Sequence, residues 1–315
     1  MKINGMWCGR IAGVVIVSMA LAGASVIAQQ RQSIGATRTG ADQTAASLRP
    51  ACGTRPLSDL ERAVDAARVA EFKKGRAMLQ ASTLTTITTY VHVLHNGSEG
   101  KVSEKAIKDQ IAVINNAYAV HGFRFELAPS ARGNPNPDYT DNLAWFNDAE
   151  TAYKPALKEG SADDLNIYIT NGGGYLGYAY YPTIVGTQYQ YLDGLVLAYG
   201  TLPNVFQPGI SDIPGFVYNL GDTAVHEIGH YLGLAHTFEG ACSPTNDDVD
   251  DTPAERSADF YCSVGRNSCK DGSGPVELDP IHNFMDYSDD LCLIEFTLGQ
   301  SERMNIQWQL YRQGR

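Results

Sequence analysis

Positive charge is scarce in this sequence: 24 Lys and Arg stand against 35 Asp and Glu in 315 residues, a formal net charge of −11. A nucleic-acid ligand demands a basic footprint, so that class of partner is excluded. Long apolar runs are scarcer still. The one candidate, Ile11 to Ala22, follows Lys2 and Arg10, contains Gly13 and Ser18, and ends shortly before Val26-Ile27-Ala28. It is short for a full bilayer span and has the charge order and small-residue exit of an export signal, which is expected over 1–28. No other run is long enough to cross a bilayer. The mature chain, beginning near Gln29, is therefore expected to be secreted and to have no membrane partner. Internal repeats are absent as well. With 43% hydrophobic and 19% charged residues, the chain is not disordered and can bury one substantial core with appendages.

What is present is concentrated in residues 226–236, which read HEIGHYLGLAH. On an α-helix His226 and His230 stand about one turn apart, roughly 6 Å of rise, and project from one face. Glu227 lies roughly 100° round the helix from His226, beside a metal site more than in it, which suits a base. A helix continued to His236 would carry the third imidazole about 15 Å along the axis, too far to share an ion. The chain must therefore turn, and Gly233 stands where glycine alone ends a helix left-handed without steric cost. Three neutral imidazoles leave a zinc ion its charge and one open position, where a water reaches a pKa near roughly 7 and becomes a nucleophile. Glu227 would take the water proton and return it to a leaving amine. His92, His95, His121 and His282 have no comparable spacing.

Ahead of the motif the composition changes twice. Residues 29–50 are polar and aperiodic, as in a mobile leader. Residues 57–72 predict a helix with a Ser58–Glu61 capping box and an apolar stripe of Leu60, Val64, Ala67 and Phe72. Residues 29–80 carry 9 basic and 5 acidic side chains, whereas 81–315 carry 13 and 30. Opposite net charges draw such a leader onto the body, as an inhibitory propeptide requires; a solvated tail is the alternative. Lys73-Lys74-Gly75-Arg76 suits processing in either case. The expected divisions are thus a signal at 1–28, a propeptide at 29–80 and a catalytic body at 81–315.

Within the body, strands are expected at Thr85–His95, Phe123–Leu127, Leu165–Thr170 and 195–199. A helix capped by Ser103 turns Ile107, Ile111, Ile114 and Tyr118 inward, and a shorter one lies near 149–158. Asp222 is expected to cap the motif helix, whose Val225, Ile228 and Leu232 face the core. The stretch after His236 is rich in Asp, Pro, Ser and Gly and reads as irregular, closed by a helix over 298–311. Of six cysteines, Cys8 goes with the signal and Cys242, Cys262, Cys269 and Cys292 cluster in the irregular part, where three pairings are open. Cys52 is left over. Its thiolate suits the open position of a zinc site and would silence it; a free or intermolecularly paired cysteine is the alternative. The run Asp247, Asp248, Asp250 and Asp251 is either a solvated face or a collector of hard cations.

The pattern H-E-x-x-H-x-x-G-x-x-H, with Asn283-Phe284-Met285-Asp286-Tyr287 downstream, resembles the metzincin clan of zinc endopeptidases. HTFEGAC at 236–242, DDVDDTPAE at 247–255 and CLIEFTLGQSERM at 292–304 are similar to the pappalysin family, a resemblance that runs roughly from 85 to 312. It implies an α+β, metzincin-type zincin fold: a mixed β-sheet upper lobe with a backing helix and the active-site helix, and an irregular disulfide-bonded lower lobe ending in a helix. It implies Zn2+ on His226, His230 and His236, Met285 as an apolar floor, and Tyr287 as oxyanion stabiliser. Disulfides Cys242–Cys269 and Cys262–Cys292 are implied, as is an edge strand over 175–181 that adds an extended substrate to the sheet. So are Ca2+ near Asp247 and the carbonyls of Val249 and Thr252, and Cys52-Gly53-Thr54 as a zinc-blocking latch. The expected function is a secreted zinc endopeptidase of proteins or peptides, made as a latent zymogen. The alternatives are a hydrolase of non-peptide amides and a non-catalytic zinc-containing secreted binding protein, against which the intact Glu227 speaks. Asp289 and Asp290 would favour basic side chains beyond the scissile bond, and Asn96-Gly97-Ser98 is a glycosylation sequon in a host that glycosylates.

Overall fold

The computed structural model describes residues 51–75, 84–128, 130–131, 134–147, 149–270 and 277–315. The expected export signal, the 29–50 leader, Arg76 and the 80/81 division lie outside those residues. The helices of eight residues or more are α1 (Asp59–Gly75), α2 (Glu104–Tyr118), α3 (Glu150–Leu157), α4 (Asp222–Tyr231) and α5 (Leu298–Gln307), with a wider π-type turn, Trp308–Arg312, continuing α5. The strands of the main sheet are β1 (Thr85–His95), β2 (Phe123–Leu127), β3 (Asp138–Asp141), β4 (Leu165–Thr170), β5 (Gly177–Ala179) and β6 (Leu195–Ala198).

One mixed sheet orders these strands β2-β1-β4-β6-β5. One edge of β1 pairs with β2 along Thr85–Thr89 and with β3 along His92–His95, while β4 takes the other edge along Thr89–Val93. All these pairings are parallel; only β5 runs antiparallel, against β6. Strands covered on both faces read as nearly continuous apolar runs, and every residue of β4 is buried, Asn166 and Thr170 included. Leu165, Ile167 and Ile169 join Ile107 and Ile114 of α2 and Val225 and Ile228 of α4 in one core. The opposite face sets Tyr168 against Tyr153 of α3 and Tyr178 of β5. Ser103 caps α2 by accepting from Ala106 N at 3.2 Å, and Tyr118 at its far end donates to Val225 O at 2.7 Å, tying the backing helix to α4.

Residues 233–297 contain no helix or strand among the described residues. Cys242–Cys269 and Cys262–Cys292, the pairing implied by resemblance, cross-link them. The whole is the α+β architecture that the sequence resembles. No helix among the described residues is long and apolar enough to cross a membrane.

The structure corrects four local expectations. The Pro- and Asn-rich connection before α3 supplies a sheet strand, β3, because its backbone satisfies the free edge of β1. The edge strand and the last strand are shorter than 175–181 and 195–199. Asp222 does not cap α4; the cap is Gly221 at φ 105°, and Asp222 is the first helical residue. In α1 the Ser58–Glu61 capping box forms, Ser58 N donating to Glu61 Oε2 at 2.7 Å and Glu61 N to Ser58 Oγ at 3.3 Å. Most of its apolar stripe does not face inward: Leu60 is 59% and Val64 45% exposed and Ala67 is exposed, Phe72 is partly buried, and Asp65 is buried. The helix docks through charge.

Candidate metal centre and active site

Helix α4 ends at Leu232, where Gly233 takes φ 93° and reverses the chain so that His236 returns to the helix face. His230 Nε2 lies 3.1 Å from both His226 Nε2 and His236 Nε2. The far nitrogens are fixed from behind: His226 Nδ1 donates to Phe284 O and His230 Nδ1 to Leu234 O, each at 2.7 Å, and His236 Nδ1 lies 3.5 Å from Glu239 Oε2. A carbonyl only accepts, so in the first two rings the proton sits on Nδ1 and the Nε2 lone pair points inward. Burial and then the neighbouring His236 push the His226 imidazole down to about 3, and the same causes hold His230 well below its ordinary value. Neutral nitrogens that converge so closely need a cation between them, and an all-imidazole set is a zinc donor set.

Glu227 is fully buried beside this cluster. Its Oε2 accepts from Thr54 Oγ1 at 2.9 Å, while Oε1 makes no hydrogen bond. Burial pushes its carboxyl up to about 8, opposed in part by hydrogen bonds from Cys52 and Thr54; a dication beside it acts in the opposite sense. Met285, buried, lies beneath the helix against Gly229, where any Cβ would strike its sulfur. The Tyr287 hydroxyl lies 3.2 Å from His236 Nε2, with its ring packed on Phe238 and Phe260. Burial, then the charges of Cys52 and Glu227, keep that phenol protonated far above its usual range. It is a donor at the rim of the cluster.

Cys52 completes the constellation. Its Sγ is 3.5 Å from His230 Nε2, and its sulfur and the three imidazoles offer ligand atoms that all lie within 4.8 Å of one another. Burial and then the Glu227 charge raise the thiol well above the ordinary range. Residues 51–54 lie along the sheet edge: Leu176 N donates to Ala51 O at 3.2 Å, Gly53 N to Gly177 O at 2.8 Å, and Ala179 N to Thr54 Oγ1 at 2.8 Å. Thr54 thus bonds both β5 and Glu227, a role that no pattern in the sequence around Cys52 signals. Beyond it, Arg62 of α1 donates to Asn246 O at 2.8 Å and Asp248 Oδ1 at 2.9 Å.

The acidic run divides. Asp247 is buried, its carboxyl pushed up to about 7 by burial, with Val249 N donating to Oδ1 at 3.1 Å. Asp247 Oδ2, Asn246 Oδ1 and Thr252 Oγ1 are buried without a hydrogen bond. Asp251 is instead engaged by Thr297 Oγ1 at 2.7 Å and Gly299 N at 2.8 Å at the start of α5. Of the two aspartates after Tyr287, Asp289 accepts from Val217 N at 3.0 Å and Asp290 from Leu220 N at 2.7 Å. Only Asp290 lines the cavity beside His226 and Glu227, together with Asp222, Leu176 and Tyr218.

Comparison with known proteins bears on the same residues. A family profile described as Pregnancy-associated plasma protein-A matches residues 215–308, and one described as Metallo-peptidase family M12B Reprolysin-like matches 104–237. An extracellular metalloprotease of Pyricularia oryzae is 42% identical over 259 residues, covering 80% of this chain and 85% of the relative. One of Colletotrichum graminicola is 38% identical over 294 residues, 90% of this chain and 98% of the relative. Among solved structures, a Tannerella forsythia promirolysin mutant matches with TM-score 0.60 at 24% identity, over 83% of this chain and 95% of its own. Mature mirolysin in complex with a cleaved peptide matches with TM-score 0.56 at 26% identity, over 73% and 96%.

Proposed function

The chain belongs to the pappalysin family of metzincin zinc metalloproteases, and from that premise we propose a latent extracellular endopeptidase in which Glu227 is the general base and Cys52 the latch. The observation that carries this reading is the convergence of three imidazole Nε2 atoms, His230 standing 3.1 Å from each of the others, beside a buried carboxylate with one oxygen unbonded. His226, His230 and His236 would hold zinc, which when bound supplies a Lewis acid that polarises a carbonyl and acidifies a water. The chain's own groups do the rest. Glu227 Oε1, freed of any partner, accepts the proton of the attacking water and passes it to the leaving amine. Tyr287 donates its hydroxyl to the oxygen on which negative charge develops. The edge of β5 offers its backbone to an extended polypeptide, as it does here to residues 51–54. Met285 acts from below as an apolar support.

Latency follows from what those edge contacts exclude. A peptide substrate needs the β5 edge, the unbonded metal position and Glu227, and Ala51 to Thr54 occupy or bond all three. The division into a signal at 1–28, a pro-segment at 29–80 and a catalytic part at 81–315 accords with this. So does the match to a pro-form over more of the chain than to a mature form, 83% against 73%. A second metal is part of the proposal: the buried, unbonded oxygens of Asp247, Asn246 and Thr252 form a hard donor set of the kind calcium takes, with the Val249 and Thr252 carbonyls.

Hydrolysis of a casein-type substrate by the zinc-loaded chain tests the reading. The parent is expected to be silent until its pro-segment is removed, Cys52→Ala to be active without a lag, and Cys52→Ala with Glu227→Ala to stay inactive. A Cys52→Ala chain with unchanged latency overturns the latch, and one lacking zinc and activity overturns the whole.

A further inference from the structure

Sequence periodicity gives α1 an apolar face, yet that face is turned to solvent, with Leu60 and Val64 59% and 45% exposed. The buried residue of α1 is a carboxylate, although Arg62 and Arg68 also reach the body, at Asp248 and Tyr311. Asp65, 2% exposed, accepts on Oδ2 from Arg303 Nη2 at 2.9 Å and Gln307 Nε2 at 2.6 Å, and on Oδ1 from Tyr311 OH at 2.9 Å. The three donors lie four residues apart, so α5 and the turn that continues it present them from one face. Burying a carboxylate is costly unless every lone pair is matched, and here the match comes wholly from the body. The receptor is also braced independently of its occupant, because Arg303 Nε donates to Gly233 O at 2.8 Å, the carbonyl of the turn between His230 and His236.

We propose that Arg303, Gln307 and Tyr311 form a carboxylate-binding site, separate from the metal centre, that recognises α1 through Asp65 whether or not Cys52 is engaged. Its partner is an acidic side chain borne on a helix, in this structure the chain's own. The proposal rests on the pro-segment reading above but not on the latch. An apolar helix face would bind through area and release slowly with partial solvation; a single satisfied carboxylate gives a contact that is strong in place and lost altogether when one group is neutralised. Arg62 adds a partly buried contact to Asp248, and Lys73 a half-exposed one to Glu302 at 2.8 Å. Neither replaces a buried ligand.

The test uses the full chain, zinc-loaded, in a Glu227→Ala background that prevents self-cleavage. Amide hydrogen exchange across 59–75 is read beside exchange in β4 as a control for global folding, and Cys52 alkylation by iodoacetamide is timed. Asp65→Asn, nearly isosteric, is expected to speed exchange in α1 at least tenfold while β4 is unchanged, and Tyr311→Phe to speed it several-fold. Cys52→Ala is expected to leave α1 within threefold of the parent. Unaltered α1 exchange in Asp65→Asn overturns the proposal, as does loosening in Cys52→Ala equal to that in Asp65→Asn. If Cys52 in the parent alkylates like a free thiol, the latch reading fails while α1 exchange still decides the socket.

Discussion

The two lobes that meet at the metal centre are stabilised by different physics. Above it, the sheet and α2 and α4 bury Leu, Ile, Val and Tyr in alternation, so β4 and β6 are closed on both faces. Below it, residues 233–297 bury carboxylates. Glu255 takes Thr237 Oγ1 at 2.8 Å and shares Arg266 with Asp279, and Asp286 accepts from Asp259 N at 3.1 Å. Burial, and for Asp286 the nearby Glu255, push these carboxyls up, Glu255 to about 7 and Asp286 to about 8. Two disulfides hold what no ladder holds. His226, Glu227 and His230 come from the upper lobe and His236, Met285 and Tyr287 from the lower. The site therefore registers whether the lower lobe, which adds Phe284, Met285, Leu293 and Phe296 to the shared core, has kept its place against the sheet.

Perturbations can separate the two. The largest effect expected is from Glu227→Gln, which removes the general base from the upper lobe and should cut turnover by roughly 10²–10⁴-fold once latency is relieved. Activity within tenfold of the parent would deny Glu227 its role. Next, replacing Cys242 and Cys269 together by Ala should cost about 2–5 kcal/mol of stability in the lower lobe. Hydrogen exchange should then rise around His236 and Tyr287 while β4 stays protected; equal loosening of β4 would show that the lobes unfold as one and break the contrast. Tyr287→Phe is smaller in scope, touching neither scaffold. It should lower kcat by about 10²-fold with KM little changed, because the hydroxyl acts on charge that appears only in the transition state.

The same contrast explains what was legible in the sequence. The upper lobe is written in local patterns: β-branched and aromatic strand runs, the Ile107–Ile114 helical face, and a metal motif whose geometry is fixed by spacings of four and six residues. β3 escaped because its residues alternate only between half-buried and exposed, leaving no apolar signal on a strand recruited by the free edge of β1. The buried face of α1 departs from its apolar pattern for a related reason. Its true contact, Asp65 with Arg303, spans 238 residues of sequence, and one buried charge on a polar helix has no periodicity. Thr54 likewise meets Glu227 across 173 residues. Polar pairs of that range are settled by tertiary geometry, and the sequence carries only their ingredients.

The smallest effect sharpens the comparison furthest. Asp247, Asn246 and Thr252 lie in the lower lobe, bury oxygens that nothing bonds, and are the proposed calcium ligands. Hard-cation sites in extracellular proteins bind at roughly 10⁻⁴–10⁻³ M, so at about 1 mM calcium the bound ion contributes about 0.4–1.4 kcal/mol. Removing it with a chelator that prefers calcium and leaves zinc in place should lower the thermal midpoint by an amount that grows with the calcium withdrawn. The loosening should be seen by hydrogen exchange in 237–260 and not in β4. Arg62 already bonds Asn246 O and Asp248 in this loop, so part of the effect should be masked while α1 is docked and should appear in full in Asp65→Asn. Stability indifferent to calcium in both chains would leave those oxygens as buried polar atoms without a cation, and the lower lobe dependent on its disulfides and ion pairs alone.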